Sequence, residues 1–185
     1  MSGDGADGFP PLRRLNEMSA AQFAESLAPL FEGAPRFLAR LAKARPFDGM
    51  RSLFRAARRI AREMGESEQV ELLDAHPRIG ADPSAVSELS YREQGYDRAP
   101  NQADAAIARR LHELNDAYEE RFGFRFVVFV AGLPRSEIVA AIEDALAADT
   151  DTELHRGLAD VVSIAEDRLQ ALRAGARTRR PTIGA

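Results

Sequence analysis

Apolar side chains recur every three or four residues through most of this chain, a spacing that predicts amphipathic helices. A capping box at Ser19 and Gln22 starts the first of them, over about residues 20–32. The same spacing predicts a segment bracketed by Pro35 and Pro46, one from Met50 to Ile60, a short one from Glu68 to Ala75, a long one through Ile107 and Tyr118 that ends near Gly123, and two more at Ser136–Ala148 and Asp151–Ala174. We therefore expect an all-α, single compact domain of seven or eight helices.

One segment, Phe124 to Val130, does not share this spacing. Its sequence, FRFVVFV, is rich in the β-branched and aromatic residues that favour strands, but the chain offers no second strand to pair with it. Three interpretations stay open: an extended buried segment, a strand that pairs across an oligomer interface, or the start of a buried helix.

The two ends of the chain lack periodicity. The first residues are rich in Gly, Asp and Pro, and the residues from Gly175 onward are rich in Arg, Thr, Pro and Gly. These compositions predict a flexible N-terminal tail at residues 1–14, a helical domain at 15–174 and a flexible Arg-rich tail at 175–185.

The amino-acid composition disfavours several classes of function. The 185 residues include 25 Lys and Arg against 29 Asp and Glu, for a formal net charge of −4, which disfavours nucleic acid or an anionic membrane as a partner. No apolar run approaches the ~18 residues that span a bilayer. The absence of Cys excludes disulfide scaffolds, cysteine metal sites and thiol nucleophiles, and fits a reducing compartment. We expect an unexported, cytoplasmic protein.

The three histidines differ in their surroundings. His112 and His155 fall within predicted helices and are interpreted as solvated; without a histidine pair or an H-E-x-x-H motif, no metal site is expected. His76 ends a short helix, because Pro77 disfavours the α region for the residue before it. A helix C-terminus favours imidazolium, so the ring would titrate near neutral pH and transfer protons. The alternative is a capping histidine bonded to the last carbonyls.

A second candidate is the sequence SYREQ at residues 90–94. Ser90 and Glu93 have the spacing of a capping box that starts a helix. The functional interpretation is that a helix N-terminus presents this hydroxyl and carboxylate, with the Gln94 amide, to a small polar ligand. Both interpretations hold together without conflict.

The motifs, in order, resemble the 2-oxo-4-hydroxy-4-carboxy-5-ureidoimidazoline (OHCU) decarboxylases of ureide metabolism. The resemblance covers nearly everything from residue 15 to about 172. It rests on Leu15-Asn16, Phe23, Leu30-Phe31-Glu32, Ala44-Arg45-Pro46-Phe47, His76-Pro77, Ser90-x-x-Glu93-Gln94, Leu114-Asn115-x-x-Tyr118, Arg121-Phe122-Gly123-Phe124 and Arg168-Leu169.

The resemblance implies an all-helical fold, a homodimer, and no metal or organic cofactor. The implied activity is the last of three steps from urate to (S)-allantoin, the decarboxylation of an anionic ureidoimidazoline. Its catalytic residues fall on His76 and Glu93. Its substrate-binding residues fall on Pro77, Ser90, Gln94, Phe126, Val127, Val128, Phe129, Val130 and Arg168.

The implied chemistry assigns a role to each group. His76 would transfer the proton, and Glu93 would orient the imidazole or accept from the substrate hydroxyl. Ser90 and Gln94 would bind the ureido and ring amides, Arg168 would attract the anionic substrate, and the backbone of 126–130 would offer polar groups while its side chains exclude water.

The chain departs from the family pattern at three places that flank these residues. Arg78 and the rest of HPRIG stand where His-Pro-Asp-Leu is common, Arg125 stands where Pro is common, and residues 95–102 replace a Gly- and Ala-rich turn. Two rival functions follow: a helical paralogue acting on another small carboxylated ureide, and a non-catalytic interaction module of the same fold. Stabilisation by allantoin in a thermal shift would separate the family function from these rivals.

Overall fold

A computed structural model describes residues 9–81, 84, 86–93, 102–130 and 132–178, with the backbone alone at 92–93, 102–104 and 175–178. The helices are α1 (Leu12–Glu17), α2 (Ala20–Leu27), a 3₁₀ turn (Ala28–Leu30), α3 (Pro35–Lys43), α4 (Met50–Glu63), α5 (Glu66–Asp74), α6 (Glu88–Glu93), α7 (Gln102–Phe122), α8 (Arg135–Ala145) and α9 (Thr150–Thr178). The described residues contain no strand, so the all-α class is confirmed, but they form nine α-helices rather than seven or eight. None of these helices is long and apolar enough to cross a bilayer.

Both predicted tails overlap helices. Helix α1 begins at Leu12, inside residues 1–14, because Leu15 is fully buried and anchors this turn to the core. At the other end, α9 continues past Gly175 to Thr178. The remaining tail residues, 1–8 and 179–185, lie outside the described residues.

Helix α9 is the central element of the core and packs against α4, α5 and the 3₁₀ turn. The spacing predicts an apolar stripe on α9 that runs to Leu172. The stripe is confirmed except at this last residue, which is half-buried, since the following residues are buried: Leu154, Leu158, Val161, Val162, Ala165 and Leu169. Gly157 permits the close approach to α5, because a Cβ atom there would lie 3.0 Å from Cδ2 of Leu73. The end of α5 is therefore held tightly against α9.

The segment after α7 is the one whose conformation the sequence left open. Gly123 ends the helix in the left-handed region at φ 77°, and its N–H donates to the Glu119 carbonyl at 2.9 Å. Residues 124–130 then run extended, with no strand partner among the described residues. Phe124 and Phe126 are buried and pack edge-on against Tyr118. Within one chain the segment is therefore neither helix nor strand, and it is partly buried, in agreement with the first interpretation; pairing across an oligomer interface stays a prediction.

Candidate active site

His76 follows the last turn of α5 and is buried, with 4% of its surface exposed. Its Nδ1 lies 3.1 Å from the carbonyl oxygen of Leu72. Because a carbonyl oxygen only accepts, Nδ1 carries a hydrogen, and the neutral ring presents a lone pair at Nε2. Nε2 is buried without a hydrogen-bond partner among the described residues. One nitrogen therefore caps the helix, and the other is free for chemistry.

The charge state of His76 differs from the sequence expectation. Burial lowers the pKa of His76 to about 4, and the positive charges of Arg168 and Arg125 act in the same direction. The Glu32 carboxylate and the Leu72 carbonyl oppose this shift but do not overcome it. The prediction of a ring that titrates near neutral pH is therefore wrong, and the ring is neutral at pH 7.

Arg168 brings a buried positive charge to the site from the middle of α9. Its guanidinium, with 2% of the residue exposed, lies 2.8 Å from Glu32 Oε1 and donates to Ser90 Oγ at 2.9 Å. Nη1 also donates to the carbonyl of Pro29, in the 3₁₀ turn, at 3.1 Å. The structure therefore brings Arg168 together with Ser90 and Glu32, and the Arg168 charge is close enough to His76 to lower its pKa.

Glu32 is the site residue to which sequence analysis gave no role, although it stands in the Leu30-Phe31-Glu32 motif of the resemblance. Its Oε1 accepts from the hydroxyls of Ser87 and Ser90, both at 2.8 Å, and lies 2.8 Å from Arg168 Nη2 in an ion pair. Its backbone has a φ of 49°, which is uncommon for a residue with a side chain and occurs mostly where the surroundings hold it in place. A lone acidic residue within the apolar stretch from Ala28 to Ala34 is the signal that marks it.

The charge of Glu32 is fixed by its neighbours. Partial burial alone would raise the pKa of the Glu32 carboxyl. The Arg168 guanidinium and the hydroxyl donors of Ser90 and Ser87 outweigh that effect, so the pKa lies below its usual value. The carboxylate is therefore ionised at neutral pH and forms a charged network with Arg168.

The capping box predicted at Ser90 is wrong. Helix α6 begins two residues earlier, and Ser87 is its capping residue, since Ser87 Oγ accepts from the Ser90 N–H at 3.2 Å. Ser90 lies inside the helix, buried, with its hydroxyl directed to Glu32 and Arg168. Only the backbone of Glu93 is described, at the end of α6, and Gln94 lies outside the described residues.

The extended segment is held by charged side chains of α9. Arg156 Nη1 donates to the Val127 carbonyl at 2.8 Å, and the Asp160 carboxylate is hydrogen-bonded to the Phe129 backbone. Arg156 also lies over the Phe126 ring, with its guanidinium carbon 4.8 Å from the ring centre. The Val127 carbonyl and the Phe129 backbone are therefore already bonded to side chains of α9.

The other predicted residues take less of a part in this arrangement. Pro77 is half-buried directly after His76, and Val128 and Val130 are half-buried in the extended segment. His112 and His155 are exposed, so the solvated interpretation of both is confirmed. Among the described residues no three His, Asp or Glu side chains form a group that could hold a metal ion.

Together these groups can accept a proton at a fixed point and hold an anion beside it. The lone pair of His76 Nε2 is a base without a competing partner, and the Arg168 guanidinium lies near enough to shift its pKa. Ser90 links the two charges of the network, because its hydroxyl accepts from Arg168 and donates to Glu32.

Comparison with known proteins gives consistent matches. A family model of OHCU decarboxylase matches residues 16–170. A uric acid degradation bifunctional protein of Bacillus sp. (strain TB-90) is 31% identical over 161 residues, 87% of this chain and 32% of that protein. A 2-oxo-4-hydroxy-4-carboxy-5-ureidoimidazoline decarboxylase of Haloferax volcanii is 31% identical over 162 residues, 85% of this chain and 93% of that protein. This chain thus spans about a third of the length of the bifunctional relatives.

Two solved structures share the fold. A crystal structure of OHCU decarboxylase in the presence of (S)-allantoin has a TM-score of 0.65 and 23% identity, covering 82% of this chain and 98% of that one. A crystal structure of (S)-allantoin synthase has a TM-score of 0.64 and 21% identity, covering 88% and 54%. The family model extends over nearly all of the helical domain, from α1 to the last third of α9. The chain belongs to the OHCU decarboxylase family.

Proposed function

We propose that this protein decarboxylates 2-oxo-4-hydroxy-4-carboxy-5-ureidoimidazoline to (S)-allantoin, the last step from urate to allantoin. The observation that carries the proposal is the buried Nε2 lone pair of His76 beside the Arg168 guanidinium. A base that is buried, neutral and without a partner among the described residues suits a proton transfer to or from a bound substrate. Family membership supplies the substrate class.

The reaction needs a group that takes up the electron pair, a proton, and one defined face of the substrate ring to which that proton is added. When the bond to the carboxylate breaks and CO2 leaves, the electron pair moves toward the ring imine of the substrate itself. The hydroxyl-bearing carbon becomes a carbonyl, and the neighbouring carbon that bears the ureido group receives a proton. The net reaction consumes one proton. Because the substrate carries its own sink, we propose that no metal or organic cofactor takes part.

His76 is proposed as the proton-transfer residue. At neutral pH the ring starts without a charge, so Nε2 first accepts a proton, as from the substrate hydroxyl, and then returns it to carbon. The Leu72 carbonyl fixes the ring through Nδ1, so the lone pair keeps one direction. Because Nε2 delivers the proton to the carbon from one direction only, one enantiomer of allantoin forms.

The remaining groups are proposed to bind the anionic substrate. Arg168 offsets the charge of the carboxylate, and Ser90 and Gln94 contact the ureido and ring amides. The backbone of residues 126–130 and Pro77 complete the pocket. Glu93 is proposed to orient the imidazole or to accept from the substrate hydroxyl.

The test generates the labile substrate in situ from urate and follows optical activity. Spontaneous decay gives racemic allantoin, so a rotation that appears with the protein reports catalysis. We expect His76→Asn to lower kcat/KM by about 10²–10⁴-fold with an unchanged helical CD spectrum. His112→Asn, on an exposed histidine, is the matched control and should leave the rate unchanged. Racemic product from the intact protein would contradict the proposal.

A second variant tests Glu93. Gln preserves the shape of the side chain and removes the negative charge, so Glu93→Gln should lower kcat/KM by at least ~100-fold with near-wild-type melting. Unchanged catalysis would remove Glu93 from the proposed mechanism. Full activity after exhaustive chelation is expected as well, whereas loss that one metal restores would contradict cofactor independence.

Assembly and location are part of the same proposal. The family resemblance supports a homodimer, and the absence of Cys is compatible with the cytoplasm. Light scattering on the purified protein should give twice the chain mass of 20.3 kDa. A monomer that is fully active would contradict the dimer.

A further inference from the structure

Arg125 joins the two chain segments that meet at His76. Its backbone N–H donates to Asp74 Oδ1 at 2.9 Å, and its Nη1 donates to the Asp74 carbonyl at 2.8 Å. The same Nη1 donates to the carbonyl of His76 itself. Arg125 thus fastens the start of the extended segment to the last turn of α5 and to the histidine backbone.

Glu119 on α7 ties this arginine to the loop on the other side of His76. Arg78 donates to Glu119 through Nε at 2.7 Å and Nη2 at 2.5 Å, and to Asp116 at 2.8 Å. Arg125 Nε lies 3.8 Å from the same Glu119 carboxylate. We call Arg78, Glu119 and Arg125 the clasp. The two arginines at which the chain departs from the family pattern therefore meet on one carboxylate, around the His76-Pro77 turn.

We propose that Arg125 is a positioning residue for His76, holding the histidine backbone against the extended segment so that the ring stays in place for proton transfer. The proposal rests on the proposed function in so far as His76 is the proton-transfer residue. Three donations from one residue to two neighbouring residues of the turn fix the backbone more firmly than a single contact would. Small misplacements of a reacting group lower rates strongly.

Burial is the main reason why the pKa of His76 is low although the ring lies at a helix end, and Arg168 and the Arg125 of the clasp lower it further. The free carbonyls at a helix C-terminus carry the negative end of its dipole. Here the Asp74 carbonyl already accepts from the Arg125 guanidinium, which places a positive charge next to His76. The other charged groups that face the ring are Arg168 from α9 and Glu32 after the 3₁₀ turn. Removal of Arg125 therefore changes both the position and the titration of the ring.

The experiment compares Arg125→Met with Arg125→Lys, which retains the charge. NMR titration of the His76 ring, assigned with His76→Asn, is one readout, and kcat and KM are the other. We expect Arg125→Met to raise the His76 midpoint by about one pH unit and to lower kcat about 10- to 100-fold, with KM within about threefold. Arg125→Lys should restore most of the midpoint and part of kcat.

Arg121→Met is the matched control, because Arg121 also donates to a backbone carbonyl, that of Ala148, at 3.0 Å, away from His76. It should change neither readout. An unchanged His76 midpoint with kcat within twofold of wild type in Arg125→Met would overturn the proposal, and so would a loss of melting temperature alone. If the wild-type protein gave racemic allantoin, the proposed function would fail, while the NMR midpoint would still decide whether Arg125 controls His76.

Discussion

Two ionic networks lie along helix α9 and are built from the same kinds of side chain. They differ in whether a buried base without a partner among the described residues lies beside them. Arg168 joins Glu32 and Ser90, whereas Arg156, twelve residues earlier and about 18 Å along the helix, joins Glu153 and Tyr118. We call them the Arg168 network and the Arg156 network. The Arg168 network lies beside the unpartnered Nε2 of His76.

The Arg156 network is closed, which means that each of its buried polar side-chain atoms has a partner. Glu153, with 3% of its surface exposed, accepts from Tyr118 at 2.8 Å and from two nitrogens of Arg156. Arg156 also bonds Asp160 and the Val127 carbonyl, and no buried side-chain atom of these residues lacks a partner. A closed network stabilises a unique packing, whereas one that borders a free base is available to a ligand. We therefore infer a structural role for the Arg156 network and assign the Arg168 network to the proposed site.

Arg156→Met should have the largest effect, on stability. It leaves Glu153 buried without its cation and frees the Val127 carbonyl, and breaking a buried pair costs about 3–5 kcal/mol. Chemical denaturation measures this change. Arg110→Met, which breaks the exposed pair with Glu143, is the control and should cost less than about 1 kcal/mol. Equal losses in the two variants would contradict a structural role for the Arg156 network.

Arg168→Met should act on catalysis as well as on stability, because its pair with Glu32 is also buried. It removes the cation beside His76, and loss of one preorganised donor lowers kcat by about 10²–10³-fold, or about 2.7–4 kcal/mol. Activity is measured by the optical assay at a temperature where the variant is folded. Arg156→Met, assayed in the same way, should lose less than about tenfold. A larger loss in Arg156→Met than in Arg168→Met would reverse the comparison.

The pH dependence of stability should report the buried His76. Above pH 6.5 the ring is neutral in both folded and unfolded chains. Between pH 6.5 and about 4 the unfolded chain binds a proton that the folded one does not, so stability falls as pH falls, by up to about 3 kcal/mol. Denaturation at several pH values measures the slope. His76→Asn should lose the part of this pH dependence that comes from the His76 ring. An identical slope in the variant would contradict the lowered pKa of His76.

The smallest effect distinguishes the two serines of the Arg168 network. Ser87→Ala removes the cap of α6 and should lower stability by about 1 kcal/mol with little change in kcat/KM. Ser90→Ala removes the hydroxyl that links Arg168 and Glu32, and it should lower kcat/KM more than Ser87→Ala does. Denaturation and the optical assay on both variants check this. The reverse ranking would remove Ser90 from the proposed site.

The site was only partly predictable from the sequence. His76 followed from a histidine between a predicted helix and a proline, and Arg168 and Ser90 followed from the family resemblance. The role of Glu32 could not be predicted, because a single acidic residue among apolar ones has no spacing that indicates which residues it contacts. Its role depends on a 3₁₀ turn and a left-handed backbone that direct the carboxylate toward Ser87, Ser90 and Arg168.

Local sequence determined the helical class, the apolar stripe of α9 and the end of α7 at Gly123, because residues three or four apart on a helix are neighbours whatever the fold. The tertiary structure decided the charge of His76. The helix end alone favours imidazolium, but burial and the cations of Arg168 and Arg125 lower its pKa to about 4. Desolvation and Coulomb interactions depend on distances in space, and residues far apart in the chain set those distances only once it folds.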